Sequence, residues 1–166
     1  MKRKTPSLTI KLCSIALAGV ACAADASAAC SRETLQQLAG TYVTAQKAGD
    51  ASMLPLAAGA SYGENNVAMD IAGGVLATAL TVDFTRSFYD TTQCAAFTEL
   101  TAATHEHPYV IHTRMEATED GKVTKMESVV TDADDWVFGA SEHLAVTRVE
   151  NWGEIPVAQR DTREVI

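Results

Sequence analysis

Tyr109-Val110-Ile111-His112-Thr113-Arg114-Met115-Glu116-Ala117-Thr118-Glu119-Asp120-Gly121-Lys122-Val123-Thr124-Lys125-Met126-Glu127-Ser128-Val129-Val130-Thr131 holds two alternating runs around Asp120-Gly121. Runs of β-branched and apolar residues with period two read as strands. A two-residue Asp-Gly loop between them predicts a hairpin with a type I′ turn. That turn sets Glu119 opposite Lys122. It then pairs Glu116 with Lys125, Arg114 with Glu127, Met115 with Met126 and Ile111 with Val130. Opposite charges fall opposite each other, which supports the register. One face carries Ile111, Thr113, Met115, Met126, Ser128 and Val130. The other carries Val110, His112, Arg114, Glu116, Lys125, Glu127 and Val129.

Upstream, residues 31–48 predict a helix. Ser31 can cap it and Glu33 suits its positive end. Leu35, Leu38, Tyr42 and Ala45 form one apolar stripe, and Gly49-Asp50 stops it. Residues 51–60 read as a second short helix with Pro55 near its first turn. Tyr62 to Asp70 reads as strand and bend, and Gly73-Gly74 as a turn. Residues 81–89 fit helix or strand, 95–103 a strand, and 141–149 a last strand or helix. The closing residues 160–166 read as a helix start that does not run on, as if the natural chain continued.

The 166 residues include 13 Lys plus Arg and 21 Asp plus Glu, a net charge of −8. Such an acidic chain lacks the basic face that nucleic acid or an anionic membrane needs. Lys2, Arg3, Lys4 and Lys11 precede a short apolar run, 12–21, and the small residues Ala26-Ser27-Ala28. This is the layout of a secretory signal cleaved after Ala28, so a secreted or periplasmic protein is expected, with no membrane span after cleavage. A single domain then covers 29–166, and its charge becomes −11. Of four cysteines, Cys30 and Cys94 remain, and an isolated pair in an oxidising compartment reads as one disulfide.

Several residues can carry chemistry. Tyr62, Glu64, Asn65 and Asn66 form a dense polar patch. Glu64 can act as a base, with Tyr62 and Asn65 donating to a developing oxyanion. The plain alternative is a turn, where Asn and Gly are ordinary. His112 and Arg114 share a hairpin face, as acid or base and as a carboxylate or oxyanion clamp. Their alternative is a solvated ladder of weak ion pairs. Asp90 either holds Arg86 at a strand or helix end or joins a ligand site. Trp136 and Phe138 suit a core or a stacked ligand. His105-Glu106-His107 and His112 invite a metal, as in cupins. However, no Glu follows at the cupin distance, and strand parity puts His107 and His112 on opposite faces. No metal is therefore expected. No Gly-x-Ser-x-Gly, phosphate-binding loop, dinucleotide fingerprint or His-Glu-x-x-His occurs, so no cofactor is expected either.

Cys30-Ser31-Arg32, Tyr62-Gly63-Glu64-Asn65, Val82-Asp83-Phe84-Thr85-Arg86, Asp90-Thr91-Thr92-Gln93-Cys94, Tyr109-Val110-Ile111-His112-Thr113, Asp135-Trp136-Val137-Phe138 and Glu150-Asn151-Trp152 resemble an uncharacterised family of secreted proteins. The order of elements resembles the nuclear-transport-factor-two-like, SnoaL-like fold. That resemblance implies an α+β cone, a curved antiparallel sheet packed against N-terminal helices, with a pocket between them and a homodimer as a mild expectation. It implies a cofactor-independent lyase or isomerase acting on a small, partly aromatic hydrophobic molecule. Tyr62, Glu64, His112 and Arg114 would move or steady charge, and Asn65, Asp90 and Trp136 would bind. A non-catalytic binding or interaction domain is the other function such a cone serves.

Overall fold

The computed structural model describes residues 30–162. The expected signal segment 1–28 and residues 163–166 of the expected terminal helix lie outside these residues; Asp161 and Thr162 are irregular. Helix α1 spans Arg32–Ala48, and the Ser31 hydroxyl accepts the Thr34 amide at its start. Gly49 ends it at φ 65°, with its amide donating to Ala45 and Gln46. A Cβ there would meet the Ala79 amide nitrogen at 2.5 Å, so both conformation and space call for glycine. Leu35, Leu38, Ala39, Tyr42, Ala45 and Gln46 form the buried stripe.

The expected second helix is absent. Residues Ala51–Met53 make a single 3₁₀ turn capped by Asp50, and strand β1 follows at Leu56–Glu64. Asn65 and Asn66, both at positive φ, then turn the chain into the two-residue strand β2, Val67–Ala68. Two central residues at positive φ are what a type I′ hairpin requires. After two 3₁₀ turns come β3 (Phe84–Asp90), β4 (Ala95–Ala102), β5 (Tyr109–Ala117) and β6 (Val123–Asp132). Helix α2 covers Ala140–Thr147.

The protein is therefore α+β, with six strands in one sheet ordered β2-β1-β6-β5-β4-β3. The sheet is mixed, not antiparallel as expected, because β1 runs parallel to β6. Between Leu56 and Ser61 the β1 chain bulges, while β6 advances only from Val123 to Lys125. Gly59, at φ 76°, lies inside that bulge. No helix of the described residues is long and apolar enough to cross a membrane.

The β5–β6 register agrees with the sequence from Ile111↔Val130 to Glu116↔Lys125. It then slips, because Ala117 pairs with Val123. Only Gly121 takes positive φ in the loop, at 79°, and its amide donates to Thr118. The turn is thus a three-residue one closed by a glycine bulge, and Glu119 does not face Lys122. The charges also pair differently. Arg114 binds Glu116 and Lys125 binds Glu127, each along its own strand.

Strand alternation gives the sheet two working faces. The first packs under α1, where Leu35, Leu38 and Tyr42 meet Ala96, Leu100, Ile111, Met115, Met126 and Tyr62. The disulfide between Cys30 and Cys94 fastens the start of α1 to the head of β4. The second face carries the other residues of β4 and β5, and α2 reaches it through His143 and Thr147.

Candidate functional site

Cross-strand pairing aligns Arg86, Glu99 and His112 in one row of the second face. Glu99 sits on β4, between the edge strand β3 and β5, with only 4% of its surface exposed. A carboxylate so deeply buried needs partners, and it has three. Arg86 donates to Oε2 from Nε at 3.0 Å and from Nη2 at 2.7 Å. His143 Nε2 lies 2.9 Å from Oε1, and the Thr147 hydroxyl donates to the same oxygen at 3.3 Å. His143 and Thr147 stand four apart on α2, so one helix face delivers both.

Arg86 is itself braced. Its Nη1 donates to Glu150 at 2.9 Å, and its guanidinium lies 4.4 Å from the Trp152 ring centre. The Trp152 indole N–H also donates to Glu150, and this bond, then Arg86, holds the Glu150 carboxyl below its ordinary range.

The His112 ring stacks on Phe97 at 5.8 Å and meets the His143 ring edge-on at 6.2 Å. Burial lowers the His112 pKa from its ordinary 6.5; Glu99 opposes this, while His143 and Arg86 add to it. His112 is therefore a neutral imidazole at neutral pH. Donor atoms of Glu99, His112 and His143 all lie within 4.8 Å of one another. His143 also lines a pocket of about 270 Å³ with Val110, Thr131, Trp136 and Phe138. Trp136 is 95% exposed on its wall, an aromatic surface in contact with solvent.

Of the four residues expected to share one hollow, strand parity turns the Tyr62 and Glu64 side chains away from those of His112 and Arg114, although Tyr62 and Arg114 both border one groove of about 490 Å³. Tyr62 pairs with Met126 and Glu64 with Ser128, which puts both side chains on the first face with α1. His112 and Arg114 point to the second. The Tyr62 hydroxyl donates to Glu64, and the Val75 amide donates to the same carboxylate oxygen. Burial, then this bond to Glu64, raises the Tyr62 pKa. Behind them the hydroxyls of Tyr42, Thr113 and Ser128 form a buried chain, 2.8 and 2.9 Å apart. Glu64 thus anchors a 3₁₀ turn, although Tyr62 also borders a hollow of about 270 Å³ with Leu56, Met69 and Ile71.

Asn65 spends its amide on both backbone groups of Val130, extending the sheet instead of facing a ligand. Asp90 accepts the amides of Thr92 and Gln93 in the β3–β4 turn, and Arg86 pairs with Glu99 and Glu150 instead. Asp90 and Arg114 do share a shallow hollow of about 210 Å³ with Phe88 and Phe97. Arg114 also lines a larger groove, about 490 Å³, beside Val67, Lys125 and Val129.

Glu99 and His143 are the residues sequence reasoning missed. Glu99 had a partial signal: it alternates with Phe97 and Thr101 on one strand, and the part of that face at Glu99 and Thr101 is buried while Phe97 stays exposed. Compared with known protein-family models and with curated proteins, the chain matches none.

Proposed function

We propose that the protein is a lyase or isomerase that moves a proton on a small, partly aromatic molecule held beside His143. The observation that carries this reading is the buried Glu99 carboxylate, held by Arg86 and bonded to a histidine that opens onto an aromatic pocket. Glu99 fixes the tautomer: accepting from Nε2, it leaves the Nδ1 lone pair of His143 as the base. His143 takes a proton from a substrate carbon and returns it to another atom or to a leaving group. Arg86 balances the charge of Glu99, and Trp136 and Phe138 supply stacking surface. No nucleotide or flavin takes part.

The order of elements, one long helix, a small hairpin and a four-strand meander, supports the SnoaL-like cone as the fold family. The disulfide and the N-terminal sequence support export to an oxidising compartment. To test the activity, the purified chain is screened against small aromatic and terpenoid compounds by thermal shift, and hits are followed for turnover. His143→Gln is expected to lower turnover by roughly 10²–10⁴-fold while leaving Tm nearly unchanged. Unchanged turnover in that variant would remove His143 from the chemistry.

A second reading, a non-catalytic binding domain, is favoured by the groove of about 490 Å³, which has the volume of a ligand site. Its charges are already paired along their strands. This reading expects ligand-induced stabilisation that Arg114→Ala weakens and His143→Gln does not.

A further inference from the structure

We propose that Glu99, His112 and His143 form a binding site for one divalent transition-metal ion of the zinc class. The site uses side chains of the proposed catalytic centre but does not depend on the lyase reading. Two imidazoles and one carboxylate are a set that zinc takes, with the fourth position left to water. Two of the three ligands are placed by the sheet itself, since Glu99 and His112 are direct partners on β4 and β5.

Donor chemistry separates this cluster from an ordinary ion pair. Arg86 takes both of its hydrogen bonds to Glu99 through Oε2, leaving Oε1 on the side of the histidines. An anchored carboxylate with one oxygen turned to the centre is the second-shell arrangement that metal sites use. His112 brings the second imidazole, its ring stacked on Phe97. Among the described residues it makes no hydrogen bond, yet its ring nitrogen lies within 4.8 Å of both other donors. A salt bridge between Glu99 and His143 needs no second imidazole there; a metal ion does.

Tetrahedral zinc, with bonds of about 2.0–2.2 Å, sets its ligand atoms about 3.3 Å apart. Glu99 Oε1 and His143 Nε2, 2.9 Å apart, must open slightly, while His112 must close on them by at most about 1.5 Å. Binding uses the Nε2 lone pair of His143, so the neutral ring's proton moves from Nε2 to Nδ1 through solvent, and the Glu99 Oε1 lone pair that accepted it turns to the ion. A second set, His107, Asp132 and Asp134, lacks such an anchored carboxylate. It is more exposed, with His107 3.6 Å from Asp132, and serves as the control.

The test is a cobalt(II) titration of the chelator-stripped, disulfide-bonded chain, read by visible absorption and followed by displacement with zinc. One equivalent with a tetrahedral spectrum is expected. His143→Ala and His112→Phe, the latter keeping a ring on Phe97, should each weaken binding by roughly 100-fold or more. His107→Ala should leave it unchanged. Circular dichroism checks that each variant folds. No binding at millimolar cobalt, equal binding by the double variant His112→Phe/His143→Ala, or loss on His107→Ala would overturn the site. Metal binding without turnover of any compound supports this proposal and removes the catalytic one. Turnover by a chain that binds no metal does the reverse.

Discussion

Glu99→Ala is expected to destabilise the fold by about 3 kcal/mol, at the lower end of what breaking a buried ion pair costs. The loss does not come from the pair's own attraction, which desolvation largely offsets. It comes from what is left behind. Arg86, 16% exposed along its side chain, loses both bonds to Oε2, and His143 and Thr147 lose their acceptor. Glu150 still holds Arg86 from the solvent side, which keeps the cost from the upper end of the range. A double variant, Arg86→Met with Glu99→Leu, should recover more than half of the loss, since apolar groups of similar volume leave no charge unpaired. Urea unfolding of the three proteins reads this directly. A loss under 1 kcal/mol in Glu99→Ala would mean that water already solvates the cluster, and the site would lose its foundation.

Removing the Cys30–Cys94 bridge, by reduction or by a double change to alanine, is expected to cost about 4 kcal/mol in the chain-entropy model. The bridge spans a sequence separation of 64 residues, so the unfolded chain gains much freedom when it opens. The native state loses position as well. Cys30 is buried, its amide donates to Thr91 at 3.1 Å, and the bridge holds α1 at the end of β4. Guanidinium unfolding of the oxidised and reduced chains, with unchanged slope, checks the magnitude. A difference below 1 kcal/mol would show that α1 is held by its apolar stripe alone.

How much of this the sequence revealed depended on the range of the interactions. Helix α1 was legible because cap, stripe and terminating glycine all lie within nineteen residues of one another. The β5–β6 register was legible because two alternating strands flank one short loop, although that loop is a three-residue turn, the charges pair along their own strands, and the register slips at Ala117↔Val123. Strand β1 was hidden by its own irregularity. The bulge around Gly59 destroys the period-two pattern over Leu56–Ser61, and Ala-rich sequence there mimics a helix. Its parallel partner β6 lies some sixty residues away, with no local signal for the pairing.

The candidate site divided along the same line. Strand parity within β5 correctly placed His112 and Arg114 on one face. The face that Tyr62 and Glu64 occupy depends on the β1–β6 pairing, and that pairing sends them to the opposite side. Glu99 and His143 come together across 44 positions through a helix docked on a strand, a contact that neither spacing nor motif encodes.

Chemical-shift mapping of the strongest thermal-shift ligand onto the isotope-labelled chain tests most directly whether the working site lies on the second face. The Trp136 indole N–H and the His143 ring signals should move together as ligand is added. Shifts confined to Tyr62 and Ile71, or to Val67, Arg114 and Lys125, with His143 unmoved, would contradict the account.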